Sequence, residues 1–242
     1  MLNFNGVSIP NFVKVKAVYI SALPSINTNL KGSTAGFGSL CGKTSFGERY
    51  LKADFSIVIP KGYSLQKCAR EFAVWLKGNN FELSPLIVED DAEIRYMAKA
   101  SSSVDISDLI YAGEGTLEFV IPSGCGESVT GKTATGTPKA SINYLGSQKA
   151  YPIIEVTVGG TASTVVINHV QKGDSIVLNG SFKSGDKIYI DCSKHLVKVN
   201  NVLHMEMIGV TSKFIELDSG INDISCSVSG SSVKVTYRER FL

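Results

Sequence analysis

Residues 50–59, YLKADFSIVI, alternate strictly: Leu51, Ala53, Phe55, Ile57 and Ile59 fall on one face, Tyr50, Lys52, Asp54 and Ser56 on the other. A period of two is that of a strand with one buried face. Phe12–Tyr19, Ile94–Ala100 and Gly115–Ile121 read the same way. One segment departs from the pattern. In SLQKCAREFAVWLKG the apolar positions Leu65, Cys68, Ala69, Phe72, Trp75 and Leu76 recur at helical spacing, with Ser64 as N-cap and Gly78 as the C′ residue. A single helix is predicted over 64–77, with Trp75 anchoring the core.

Between Pro122 and Pro138, 12 of 17 residues are Pro, Gly, Ser or Thr, a composition of turns and linkers. The domain boundary is expected there, giving domains 1–130 and 131–242. Beyond it strand signals crowd together: Ser141–Leu145, Ile153–Val158, Ser163–His169, Ser175–Leu178, Lys187–Ile190, Leu196–Val199, Lys213–Leu217, Ile224–Val228 and Val233–Tyr237. Short strands with turn residues between them predict an antiparallel sandwich or jelly roll. Asn200-Asn201 and Ser229-Gly230 suit hairpin turns, where positive φ is needed. The expected fold class is mainly β, with one helix in the first half. The stretch Leu30–Gly47 holds five glycines between strand signals. It reads either as a disordered loop or as a long hairpin arm too thin to be stable alone, which would need a partner surface.

Composition narrows the function. With 242 residues, 43% hydrophobic and 19% charged, the chain is globular. Before Gly131 there are 12 basic and 13 acidic residues, and from there on 12 and 9, so neither half has the basic footprint of a nucleic-acid or membrane binder. The five cysteines are scattered and never form Cys-x-x-Cys, which argues against a disulfide framework or zinc site. No signal peptide or long apolar run is evident, so synthesis and folding in a reducing cytoplasm are expected.

The sharpest chemical motif is GESVTGKT, Gly126–Thr133, a full match to the P-loop pattern. A strand precedes it, but Gly136 and Pro138 rule out the helix whose N-terminus would hold the phosphates. Gly126, Lys132 and Thr133 are therefore read as a chance match, and no cofactor is expected. His169, His195 and His204 lack companion ligands at metal spacing, so no metal is expected. Glu89, Asp90, Asp91 and Glu93 lack the alternating oxygens and central glycine of a calcium loop and read as a solvated turn. No Gly-x-Ser-x-Gly elbow occurs. Nothing here marks an enzyme. Arg238 and Arg240 alternate with Tyr237 and Glu239 on a terminal strand, either salt-bridged at a sheet edge or touching a neighbouring subunit.

Several C-terminal blocks carry a resemblance. They are Tyr151-Pro152 before an apolar alternation, Ile167-Asn168, Gly185-Asp186-x-Ile188-x-Ile190-Asp191, the Asn200-Asn201 hairpin, Phe214-x-Glu216-Leu217-x-x-Gly220-x-Asn222, and Val233-x-Val235-x-Tyr237-Arg238-x-Arg240. In this order and spacing the chain resembles the distal tail protein (Dit) family of tailed bacteriophages. The resemblance implies an N-terminal domain that forms a ring of six copies and an outer galectin-like β-sandwich. It implies a structural hub in the virion tail tip, assembled in the host cytoplasm, joining the tail tube protein to tail-tip and possible receptor-binding proteins while DNA passes. The glycine-rich arm becomes a belt clasping the next subunit, and Gly36, Phe37, Arg49, Arg238 and Arg240 become candidate inter-subunit contacts. The competing readings are a carbohydrate-binding galectin-like module for host adsorption and an NTPase.

Overall fold

Alternation in the first half resolves into an antiparallel sheet. The computed structural model describes residues 1–32, 36–101 and 114–242. Its first strands are β1 (Leu2–Phe4), β2 (Val7–Ser8), β3 (Val13–Ile20), β4 (Ile26–Gly32), β5 (Ser39–Phe46) and β6 (Arg49–Ile57). After the helix α1 (Leu65–Lys77) come β7 (Ser84–Val88), β8 (Ile94–Ala100), β9 (Glu114–Ile121) and β10 (Gly126–Ser128). The sheet order is β2-β1-β7-β8-β9-β6-β3, with β10 against β8. β4 and β5 pair only with each other.

The buried face of this sheet is the one the alternation predicts. Leu51, Ala53 and Phe55 of β6 are fully buried, as are Leu117, Phe119 and Ile121 of β9 or nearly so. α1 covers that face with Cys68, Phe72 and Trp75. Ser64 caps it by accepting from the Lys67 N–H at 3.3 Å, and Gly78 follows at φ +54°. Trp75 stands among Phe4, Phe72 and Phe119 at ring distances of 5.8–6.3 Å, and its Nε1–H donates to the Val7 carbonyl at 2.9 Å. Burying the indole without that acceptor would leave an unpaired donor. Ile59, expected on the buried face, is exposed, because β6 ends at Ile57 and Pro60 offers no N–H to extend the ladder. β7, hidden by its Pro85, is a strand the alternation did not reveal.

The second unit comprises Thr130–Phe241, the first Met1–Val129 with Leu242. Its strands are β11 (Lys132–Gly136), β12 (Lys139–Tyr144), β13 (Ile153–Thr157), β14 (Ala162–His169), β15 (Ser175–Phe182), β16 (Lys187–Asp191), β17 (Leu196–Val199), β18 (Val202–Leu203), β19 (Gly220–Cys226), β20 (Ser232–Tyr237) and β21 (Arg240–Phe241). All of these but β21 build two antiparallel sheets, β11-β20-β13-β16-β17-β18 and β12-β19-β14-β15. Ile154, Val156, Ile188, Ile190, Val233 and Val235 of one face Ile142, Tyr144, Val165, Ile167, Leu178 and Ile224 of the other in a single core. This is a β-sandwich. Asn200 and Asn201, both at positive φ, make the β17–β18 turn as expected.

Two expectations change. The turn-rich stretch before Pro138 contains β10 and β11, where β-branched Thr133 and Thr135 suit a pleated ladder opposite Thr236 and Lys234. Lys213–Leu217 is extended but joins no ladder. Its Ile215 and Leu217 are fully buried, while its backbone finds scattered partners: Lys213 N–H donates to Ser175 O, the Glu216 carbonyl accepts from Lys172 Nζ at 3.2 Å, and Leu217 pairs with Ala150. Period two is satisfied there by burial alone.

The sandwich core also holds a polar pair. His169 Nδ1 accepts the Lys172 N–H at 3.2 Å, so Nε2 carries the proton and donates to Asn222 Oδ1 at 2.9 Å. Asn222 Nδ2 donates in turn to the Asp218 and Gly220 carbonyls. Because each single deletion strands a buried partner, His169→Leu and Asn222→Leu are each expected to cost about 1–3 kcal/mol. The double variant should cost less than the sum; denaturant melts of the three variants measure it.

Candidate functional site

No catalytic constellation forms from the residues the sequence singled out. Gly126 lies in β10, where a Cβ would collide with Ile94 and Tyr96, so its glycine serves close packing of β10 on β8. Lys132 Nζ donates to Glu239 Oε1 at 2.7 Å, and that carboxylate holds the ammonium above its usual pKa. Thr133 Oγ1 lies 3.4 Å from Thr236 Oγ1. The P-loop-like segment thus runs through two strands, and its ladder amides are not gathered around a phosphate. His195 packs on Phe214 with ring centroids 4.8 Å apart, and His204 Nδ1 sits 2.7 Å from Glu206 Oε1. Glu89–Asp91 form a short 3-10 turn on the surface. Among the described residues no three His, Cys, Asp or Glu side chains converge as a metal set.

What stands out is a surface. β4 and β5 form a hairpin, and every residue of the two strands is exposed. Its register pairs Ile26 with Phe46 and Thr28 with Thr44, then Leu30 with Cys41 across a bulge whose extra residue lies on β5, so alternation along β4 keeps Ile26, Thr28 and Leu30 on one face. Leu40 and Phe37 add further exposed apolar area, Phe37 at 96%. Each strand reaches roughly 23–27 Å at about 3.4 Å per residue. A two-stranded hairpin with both faces in water is marginal by itself. Of the two sequence readings, a loop or an arm, the structure shows the arm.

The candidate contacts divide by position. Gly36, at φ +94°, and Phe37 sit at the tip. Arg49, expected at a subunit surface, is 5% exposed and lies inside the arm's root. Its Nε–H donates to the Ser21 carbonyl at 2.7 Å and its Nη2 to the Ala22 carbonyl at 3.4 Å, tying the chain that enters the arm to the strand that leaves it. The Gly47 N–H donates to Ser25 O and the Ser25 N–H to Glu48 O, completing the clasp. Gly124 approaches Pro24 and the Gly47 carbonyl so closely that a Cβ would not fit. Arg240, in the other unit, donates from Nη1 to the Lys149 carbonyl at 3.1 Å and lies over the Tyr151 ring at 5.9 Å. Arg238 is half-buried beside it in sequence. The sequence reading missed the apolar face of the arm, although the alternation Ile26-x-x-x-Leu30 was there to be read, and it missed exposed Val74 on the polar side of α1.

Two family models match the chain: the siphovirus-type tail component, C-terminal domain, over residues 145–241, and the phage tail protein RIFT-related domain over residues 23–121. Among solved structures, the fold is similar to that of the SPP1 Dit protein, described as a paradigm of hub adsorption apparatus in Gram-positive infecting phages. That match has a TM-score of 0.81 at 14% identity and covers 100% of this chain and 98% of that one. A chain of the phage P2 baseplate in its activated conformation with Ca aligns at TM-score 0.46 and 8% identity, covering 93% and 90% of the two chains. No curated protein matches.

Two measurements probe the site. Cys41 is exposed, whereas Cys68, Cys125, Cys192 and Cys226 are buried, and burial pushes the Cys192 thiol up to about 12. A thiol reagent at neutral pH should label one cysteine of the folded chain and all five after unfolding; rapid labelling of a second in the native state contradicts this. Arg49→Met leaves the Ser21 and Ala22 carbonyls without their donor, an expected cost of about 1–3 kcal/mol. Amide exchange should rise first at the arm's root.

Proposed function

The chain belongs to the siphovirus-type tail components of the distal tail (Dit) family, and from that premise we propose that it is the ring-forming hub of its tail tip. It is a structural component of the virion tail. In the proposed role six copies of the first unit assemble into a ring that joins the tail tube to the tail-tip proteins. DNA passes through the opening, and the sandwich unit faces the outer tail proteins. A formal net charge of +2 suits a passage that must not retain DNA.

The observation that carries this reading is the arm. An exposed hairpin bearing Ile26, Leu30, Phe37, Leu40 and Phe46 offers apolar area that its own unit leaves uncovered, and exposed apolar area gathered on one element marks an interaction site. A belt laid on the neighbouring copy covers it. A belt contact is heterologous, one surface against a different one, and heterologous contacts close into rings when the rotation permits.

Replacing Asn27–Ser45 by two glycines, which keeps the Ser25, Gly47 and Glu48 clasp, is expected to leave both units folded, with little change in melting temperature, but monomeric. Light scattering and negative-stain images of the full chain should show a ring with a central hole. A ring that survives the deletion removes the arm from the reading.

A further inference from the structure

Pro10 and Glu71 line two adjoining hollows of the first unit, one of about 600 Å³ bounded by Val58 and Tyr63, the other of about 470 Å³ bounded by Val7, Val74 and Trp75. Sharing these two residues, they form one trough across the end of the sheet where α1 lies. Val7, Val58 and Val74 at its rim are each more than half exposed. Val74 projects from α1 away from the buried row Cys68, Phe72 and Trp75, so the helix presents apolar surface on two sides. An amphipathic helix that packs on one core alone needs only one apolar stripe.

We propose that this trough is the seat for the arm of a second copy of the chain. The inference rests on the arm acting as a belt between copies, and it names the surface the belt grips. Three observations support it. The arm is apolar on one face, and its only charged residues between Ile26 and Phe46 are Lys31 and Lys43. Glu71, the one acidic residue lining either hollow, lies where they join, with Lys14 at the Val58 end. Apolar area around an opposite charge is the complement such an arm requires.

The third observation is positional. The arm links the Ile20 end of β3 to the Arg49 end of β6. The trough lies at the other end of the same pair, beside Phe12 at the start of β3 and Val58 just past β6. Eight strand residues separate the two by roughly 25 Å. Every residue of β4 and β5 is exposed, so the chain does not seat its own arm. With donor and acceptor surfaces at opposite ends of one rigid strand pair, arm-to-trough contacts between copies run head to tail, the arrangement that closes into a ring.

Native Cys41, opposite Leu30 on the arm, allows a direct test. The full chain carrying Val74→Cys, treated at its highest soluble concentration with a short bismaleimide, should give covalent species larger than dimers. The unsubstituted chain has a single accessible thiol and can give no more than dimers. Cys41→Ser in the Val74→Cys background should abolish the larger species. So should Val7→Glu or, at the other hollow, Val58→Glu, each placed at an exposed position and required to melt as the parent does. Absence of species beyond dimers, or their persistence in both glutamate variants, overturns the inference. The arm-deleted chain separates the two levels. If it is monomeric while the Val74→Cys chain forms no crosslink to Cys41, the belt stands and this trough is not its seat; if it still forms the ring, both fall.

Discussion

Strand β6 is hydrogen-bonded on both sides and buried on one face, so its pleat decides where the neighbouring elements sit. Arg49, Leu51, Ala53 and Phe55 all point inward, in register with Ile121, Phe119, Leu117 and Gly115 of β9. At one end of that row the Phe55 ring meets Phe72 at 5.3 Å and so sets the height of α1 over the sheet. At the other end the inward position is occupied by a guanidinium, which reaches the Ser21 and Ala22 carbonyls. A slip of one residue would turn Arg49 to solvent and release the arm's root together with the helix contact. One row of side chains thereby links the core and the arm.

The sandwich is organised around a different constraint. Two sheets facing each other leave little room for polar atoms, and the pair His169 and Asn222 is tolerated because every ring nitrogen and amide atom finds a partner. Asp191 follows the same rule at the end of β16. Burial works to raise its pKa, yet hydrogen bonds from the Ser193 hydroxyl and the Ser193 and Lys194 amides bring it below the usual carboxylate range. Such groups fix which loops close the ends of the sandwich, while the aliphatic rows fix only that the sheets meet.

Much of this could be read in the sequence wherever one physical rule dominates. The β6 alternation, the capped helix and the Asn200-Asn201 turn each follow from local chemistry, and each is found in the structure. The readings that changed fall where a longer-range condition decides. Ile59 continues the alternation, but Pro60 ends the ladder. Lys213–Leu217 has strand period and no strand partner. Arg49 was a candidate inter-subunit contact, and its burial was not legible because its partners are carbonyls 27 and 28 residues away. The arm was read from glycine content, and its apolar face was passed over because the one repeat Ile26-x-x-x-Leu30 is too short to mark a face by itself.

The clasp at the arm's root bears on how this chain can vary. Arg49, the Ser25–Gly47 and Ser25–Glu48 bonds and the close approach at Gly124 bring the two ends of the hairpin together independently of what lies between them. Closing a longer excursion from the same root is cheap, since each doubling of a flexible loop costs only about 0.6 kcal/mol. The root is therefore inflexible to substitution while the tip is permissive to insertion. The arm's reach is a quantity the lineage can adjust by adding residues at Gly36–Gly38 without disturbing the core.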